Sequence, residues 1–529
     1  MAASISRAAG LVIITAAVFG RIIGFGWVSW DDNINVTENP GLHPVTWASV
    51  WGFWRAPYEG LYIPVSYTVY AAEVAFSRLV FPGDALDARP FHAVSLVLHA
   101  TCVLLVWQIL RSRIATGWPA VAGSMVFALH PLQVESVAWI SEQRGLLSAA
   151  MCLGMLCLSH DTAIFPARRA ACLALFTLGI LAKPQAVVTP LLLAILVGKG
   201  SWRATIAATR DVWPLLVTAA IVSVVTKIQQ PSTWSWEGAD VAVWLRPIVA
   251  GDAICFYAEK FLVPVGLCLD YGRTPARVLA DPFLVGRAFL ALAVIAGICV
   301  VSRMRAIRMP VMLAVAGLLP VLGLVPFTFQ GFSTVADRYT YLPMLGAAVG
   351  IAQAATRVRP AHAAAVSTGF VAWVVVLTTL TIGQLPTWRD SDALNRQIIR
   401  VNPQSTGGHL GLGASLANSG RLQEAVEELR AAVEANPEYA KARHKLAVTL
   451  HALGLRQEAE EQYRAALQLR PRWSYPHNDL GILLAEQGRL GEAIEHFREA
   501  VALRPDLPAQ RINLEKAEAA VRESAHGAD

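Results

Sequence analysis

Apolar runs about as long as a bilayer is thick, separated by short polar connections, fill the first 385 residues, and the pattern then changes abruptly to charged, amphipathic repeats. The runs are Ala8 to Val28, Phe91 to Leu110, Pro119 to Ile140, Leu146 to His160, Ala170 to Ala182 and Ala186 to Val197. They continue as Val212 to Val225, Val285 to Val301, Val311 to Phe327, Tyr341 to Ala355 and Ala363 to Ile382. This predicts about 11 spans in residues 1–385, with a long first loop over 29–89. The pieces flanking Lys183-Pro184 are short enough to be one broken segment. Ile254 to Leu269 reads as an interfacial or re-entrant helix. Eight aromatic residues between Trp47 and Tyr70 predict one or two helices lying in the headgroup zone of the outer surface.

Beyond a linker at 386–404 the spacing is regular. Pro403, Pro437, Pro471 and Pro505 recur every 34 residues. Gly420, Gly454 and Gly488 do the same, as do Ala425, Ala459 and Ala493. Small residues let paired helices cross closely, glycine turns the chain, and proline opens the next unit, a tetratricopeptide signature. Three repeats are expected over 405–505, with a capping helix and tail over 506–529. The predicted class is an all-α polytopic membrane protein carrying a C-terminal tetratricopeptide-repeat solenoid. Such a solenoid presents a concave face to a peptide or protein, and Asn418, His444, His477 and Asn478 are exposed candidates for contact. His409, His444 and His477 recur near equivalent positions and read as repeat surface or packing, so no metal ligand set is assigned.

Composition sharpens this picture in two places. Hydrophobic residues make up 55% of the chain and charged ones only 16%, which excludes an ordinary soluble protein. The net charge of +6 comes largely from short loops between apolar runs, so it reports topology and not nucleic-acid binding. Arg7, Arg111, Arg113, Arg168, Arg169, Lys199, Arg203, Arg210, Arg303, Arg305, Arg308, Arg357 and Arg359 fall on one side, which the positive-inside rule makes cytoplasmic. The N-terminus is then expected in the cytoplasm and the long loop and the repeats on the opposite side; the compact length and lack of an obvious targeting leader suit a bacterial inner membrane, which would make that side the periplasm. All seven cysteines precede residue 300, mostly in apolar runs, as buried small hydrophobes rather than a disulfide framework.

Polar residues inside this apolar background are the candidates for chemistry, each with a structural alternative. Trp30-Asp31-Asp32 places two carboxylates at the outer rim, where they could receive a substrate hydroxyl or simply cap a helix. His92 and His99 share a helix face and suit interhelical hydrogen bonds as well as a site. His130, Glu135 and Arg144 lie around the end of the third run; His130 suits a supporting role, Glu135 and Arg144 a site. Lys183 is placed to neutralise phosphate at a cavity mouth or to snorkel to the surface. Asp337-Arg338 opens the tenth run, and the guanidinium suits a phosphate unless Asp337 pairs with it.

With Trp30-Asp31-Asp32, His130-Pro131, Glu135-Ser136-Val137-Ala138, Lys183-Pro184 and Ala336-Asp337-Arg338-Tyr339-Thr340-Tyr341-Leu342-Pro343 in this order before the repeats, the chain resembles the GT-C glycosyltransferases. More narrowly, it resembles the transmembrane and tetratricopeptide-repeat O-mannosyltransferases and their bacterial relatives. That resemblance implies a GT-C-like membrane domain and inverting transfer of a sugar from a polyprenyl-phosphate-linked donor to serine or threonine of exported proteins. Asp31 and Asp32 would be catalytic, and Arg338, Lys183 and Arg144 would hold the donor phosphate. Glu135, His130, His99 and Asp337 would support them. No cofactor is firmly expected, and metal-independent transfer is favoured although two adjacent acids could bind a divalent ion. The competing expectations are a nonenzymatic scaffold for envelope proteins and a glycosyltransferase acting on lipid or polysaccharide.

Overall fold

The computed structural model describes residues 2–83, 85–159, 166–229, 241–301 and 305–526. His160 and Arg303, which enter the expectations above, lie outside them, as do the last three residues of the tail. The chain divides into two compact units, Met1–Leu394 and Asn395–Asp529.

The first unit is helical. Its early helices are α1 Ala2–Phe19, α2 Trp47–Arg55, α3 Pro64–Val80, α4 Arg89–Arg113, α5 Trp118–Leu129, α6 Val134–Ala138 and α7 Gln143–Leu158. There follow α8 Pro166–Ala182, α9 Thr189–Gly198, α10 Trp202–Asp211, α11 Trp213–Gln229, α12 Arg246–Leu262, α13 Pro275–Ala280 and α14 Pro282–Val300. The last are α15 Arg305–Leu318, α16 Met344–Ala355, α17 Ala363–Gln384 and α18 Ser391–Val401, which runs into the second unit. Among the described residues four helical stretches are long and apolar enough to cross a membrane: Ser4–Gly24, Arg89–Arg113, Pro282–Val300 and Pro360–Trp388. The α10–α11 pair, bent by 74°, makes a fifth if it is one span. Trp118–Leu129, Pro184–Gly198, Ile307–Val321 and Met344–Ala355 are shorter apolar helices. The protein is therefore all-α and largely membrane-embedded, with a C-terminal tetratricopeptide-repeat region.

Prolines explain where the helices and the hydropathy pattern part company. The expected span Pro119 to Ile140 is helical only as far as Leu129, because His130 precedes Pro131 and is extended at φ −74°, ψ 135°. The chain then turns through α6 and short 3-10 segments before α7 begins. Lys183, before Pro184, is likewise extended at φ −154°, ψ 123° and separates α8 from the 3-10 turn leading into α9. Small residues let the remaining helices pack closely. A Cβ on Gly123 of α5 would come within 2.3 Å of the Ala348 carbonyl oxygen of α16, so nothing larger than glycine fits there without a shift.

The long first loop is more deeply built in than a surface helix pair. Trp47 is 90% exposed, and a Thr46–Ser49 capping box starts its helix. Yet Phe53, Tyr67 and Tyr70 are buried with Val74 and Phe91 in one core. Phe53 stacks on Tyr67 at 4.6 Å between ring centroids. The Tyr67 hydroxyl donates to Asn35 Oδ1 at 3.1 Å and that of Tyr70 to the Ile140 carbonyl at 3.2 Å. Only the α2 end thus carries the exposed aromatic face expected of the whole loop.

In the second unit the helices pair as α19 Thr406–Asn418 with α20 Leu422–Ala435, α21 Ala440–Ala452 with α22 Arg456–Leu469, and α23 Ser474–Glu486 with α24 Leu490–Leu503. The helix α25, Pro508–His526, follows them. Gly420, Gly454 and Gly488 turn each pair at φ of 78°, 79° and 79°, a left-handed conformation that side chains resist. Leu429, Tyr463 and Phe497, one repeat apart, are each buried against their own pair. The first helices of successive repeats bond side by side. His444 Nε2 meets Asp479 at 2.8 Å, His451 Nε2 meets Glu486 at 3.0 Å, and Asn513 Nδ2 donates to Asn478 at 2.9 Å. Every one of these steps is 35 residues, one repeat plus one position. His444 is therefore buried between helices rather than exposed as expected.

Candidate functional site

The first unit's polar residues gather where the chain leaves regular helix. The proline breaks after Leu129 and Ala182 and the 3-10 turn Asp337–Thr340 bring three side-chain cations around buried carboxylates. Lys183 Nζ lies 2.6 Å from Glu142 Oε2. Arg144 lies 3.4 Å from Glu142 and 3.6 Å from Asp31. Arg338 lies 2.5 Å from Glu135 and 3.8 Å from Glu142. The guanidinium of Arg338 also sits over the Phe329 ring at 4.2 Å and the Tyr339 ring at 4.8 Å, which orients it without neutralising it. A narrow cleft with about 30 Å³ of free volume opens beside Lys183, Gln185, Arg338, Tyr339 and Pro343.

Glu142, to which the sequence alone assigns no role, is the hub: it meets all three cations. Burial by itself would push its carboxyl up, but Lys183, Arg144 and Arg338 together hold it below its ordinary value. Glu135 goes the other way. Burial dominates the opposing Arg338 and lifts it to about 7. The sequence signal for Glu142 was present in Glu142-Gln143-Arg144, an acid and a base beside the helix start. Nothing local pointed to Lys183, 41 residues on.

The two adjacent aspartates face different partners. Asp32 is 1% exposed and accepts from the Val28 N–H at 3.0 Å, the Ser141 N–H at 2.9 Å and the Ser141 hydroxyl at 2.6 Å. Burial raises it to about 6, with the Ser141 and Val28 hydrogen bonds opposing the rise. It ties the segment after α1 to the turn before α7. Asp31 stands at the more open rim, toward Arg144. Asp337 accepts from the Tyr271 hydroxyl at 2.7 Å and is not the ion-pair partner of Arg338. His99 bridges the Tyr341 hydroxyl at 2.8 Å and the Ala128 carbonyl at 3.1 Å. His130 accepts from the Leu132 N–H, donates toward the Phe261 carbonyl at 3.0 Å and stacks on the Phe261 ring. Both histidines join helices. The structure thus brings Asp31, Glu135, Arg144, Lys183 and Arg338 together, and leaves His99, His130 and Asp337 in other bonds. Among the described residues no group of three or more His, Cys, Asp or Glu side chains is placed to hold a metal ion.

Comparison with known proteins finds likeness to tetratricopeptide repeats. Two tetratricopeptide-repeat family models match, over residues 416–478 and 474–507. No curated protein matches. Among solved structures, MamA from Desulfovibrio magneticus is 20% identical over 26% of this chain and 77% of its own, at a TM-score of 0.24. PilF of Pseudomonas aeruginosa is 19% identical over 30% and 64%, at 0.24. A thermophilic TPR protein of Thermus thermophilus is 24% identical over 28% and 80%, at 0.23. Scores this low carry no argument about what the chain does. None of these matches is a glycosyltransferase, and the family models recognise only repeats. The resemblance to GT-C O-mannosyltransferases, and with it the sugar-transfer activity and the reading as an enzyme, is corrected on the family models, which match tetratricopeptide repeats. The motifs that suggested it are, in the structure, helix breaks and the ion pairs that cover them.

Proposed function

We propose that this chain is a nonenzymatic membrane-anchored scaffold whose repeats hold a segment of a partner protein. One observation carries the reading: the two walls of the repeat unit differ in charge. The second helices, α20, α22 and α24, carry ten acidic and four basic side chains, cross-linked by pairs such as Arg430–Glu458 at 2.6 Å and Arg489–Glu460 at 2.8 Å. The first helices, α19, α21 and α23, carry two acidic and three basic side chains. Both acids, Asp479 and Glu486, are met by histidines of the preceding repeat. On this wall Val448, Tyr475 and, on α25, Ile512 are exposed. They occupy the ninth, second and fifth positions of the 34-residue unit, spacings that share one helix face. Exposed Lys441 and Lys445 lie beside Val448 on α21. A partner segment with acidic and apolar residues complements that wall.

The distribution of loop arginines supports placing the N-terminus in the cytoplasm and the repeats in the periplasm of a bacterial inner membrane. There the partners would be exported proteins. Binding of an acidic, leucine-containing peptide to the full-length protein in lipid nanodiscs tests the reading. Lys441→Glu with Lys445→Glu is expected to weaken it at least tenfold. Equal binding of wild type and variant rejects the wall as the site.

A second reading concerns the membrane unit and rests on the cleft beside Lys183 and Arg338. Three cations converge there on Glu142, Asp31 and Glu135, and burial raises the Glu135 carboxyl against the pull of Arg338, which lowers the negative charge set against the cations. We propose that Arg338, Lys183 and Arg144 hold the phosphate of a polyprenyl-phosphate lipid. Co-purified phospholipid and polyprenyl phosphate, measured in wild type and in Arg338→Gln, test it. Unchanged polyprenyl phosphate content counts against this site.

A further inference from the structure

The joints between repeats share a lock that sequence periodicity does not announce. The fourth residue of each repeat reaches back to the carbonyl of the proline six residues before it, and across to the twenty-third residue on the second helix. In the first repeat His409 Nε2 bonds the Pro403 carbonyl at 3.0 Å and its Nδ1 bonds Glu428 at 2.7 Å. In the second, Arg443 Nε donates to the Pro437 carbonyl at 2.7 Å and its Nη1 to Gln462 Oε1 at 3.1 Å. In the third, His477 Nε2 bonds the Pro471 carbonyl at 2.9 Å, and its Nδ1 lies 3.0 Å from Nδ1 of His496. Arg511 repeats the proline contact, to Pro505 at 3.0 Å.

The three locks respond differently to protons. Arginine with glutamine does not titrate in the working range. In the first repeat both ring nitrogens of His409 already face oxygen acceptors, the Pro403 carbonyl and Glu428. Two facing imidazole nitrogens need a single hydrogen between them. With Nε2–H of His477 donated to the Pro471 carbonyl, its Nδ1 accepts, and His496 supplies the hydrogen. A first extra proton, on either ring, still leaves one N–H facing one ring-nitrogen lone pair. A second sets N–H against N–H, and the bond is lost.

We propose that the His477–His496 pair is an acid-sensitive lock on the joint between the second and third repeats. The pair is half-buried, with ring centroids 5.3 Å apart. The charged groups acting on His496 are His477 from α23, Arg464 from α22, and Glu492 and Glu495 on its own helix. Arg464 is itself paired with Glu460 at 2.5 Å and stands 3.8 Å from Glu492. Burial, then His477 and Arg464, hold the His496 imidazole below its ordinary value, and the two glutamates oppose them. The sign follows from linkage. A depressed imidazole contributes its full stability above the unfolded value of about 6.5 and loses it as pH falls below that.

Hydrogen exchange on the full-length protein in detergent, at pH 7.5 and 5.0 and corrected for intrinsic rates, tests the lock. In wild type, exchange in the first turn of α23 is expected to rise several-fold on acidification relative to the first turn of α19. His496→Gln, which gives the third repeat a glutamine at the position held by Gln462 in the second, is expected to remove that difference. The double variant His477→Arg/His496→Gln copies the second repeat's pair completely and serves where the single variant folds poorly. Equal acid response of α19 and α23 in wild type overturns the proposal. So does an acid response of α23 that persists in a folded variant.

Discussion

Charges hold both units together, but they do so under opposite conditions. In the membrane unit Glu142 is fully buried among Lys183, Arg144 and Arg338. In the repeat unit Arg421–Glu424, Arg430–Glu458 and Arg489–Glu492 lie largely in solvent. Solvent screens the second kind and side-chain entropy offsets most of what remains, so single pairs contribute little. Removing one member of a buried set leaves the others desolvated and unmatched. The same side-chain types therefore mark a fragile centre in one unit and a tolerant surface in the other.

The largest expected effect breaks that centre. Glu142→Ala should destabilise the membrane unit by about 3 kcal/mol, the scale for uncompensated buried charge, read as a lowered unfolding midpoint in detergent. Glu142→Gln, which keeps hydrogen-bonding atoms, should cost less. Next comes packing in the repeats. Tyr463→Ala empties a buried position and should cost about 3–5 kcal/mol in that unit while leaving the membrane unit's midpoint in place. At the small end, Glu424→Ala removes a partner from the exposed Arg421 pair and should leave the midpoint unchanged. A large loss there would mean the repeat surface is not the solvated wall described above.

A pH experiment sharpens the contrast further. Glu135, raised to about 7, is neutral below that value and charged above it. Anion affinity at the Arg338 cleft should then fall as pH rises from 6 to 8, and Glu135→Gln should leave only the later fall due to Lys183, which burial lowers to about 8. Binding of an acidic peptide to the repeat wall involves neither group and should not follow that curve.

These two regions were legible in the sequence to different degrees, for physical reasons. The repeat unit writes its geometry locally: Pro437, Gly454 and Ala459 each do the same job as their counterparts 34 residues away, so period alone locates the helices. What period could not reveal is that His444 bonds Asp479 one repeat plus one residue on, which buries it. In the membrane unit hydropathy averages over direction and misread Pro119 to Ile140 as one span, although His130-Pro131 carried the break. Asp31, Arg144, Lys183 and Arg338 stood out as polar residues in apolar surroundings, and they do converge. Their hub, Glu142, was hidden because its partners come from three separate segments. The ordered motifs that resembled a glycosyltransferase mark these breaks and pairs, and a linear pattern of that kind does not distinguish structural ion pairs from a reaction centre.

The central claim, that the repeats bind a partner independently of the acidic rim of the membrane unit, is tested most directly by one binding measurement. Full-length protein in nanodiscs is titrated with a single acidic, leucine-containing peptide, comparing wild type with Asp31→Asn and with Lys441→Glu/Lys445→Glu. Unchanged affinity is expected for Asp31→Asn and at least a tenfold loss for the lysine variant. Loss of binding in Asp31→Asn with full binding in the lysine variant would contradict it.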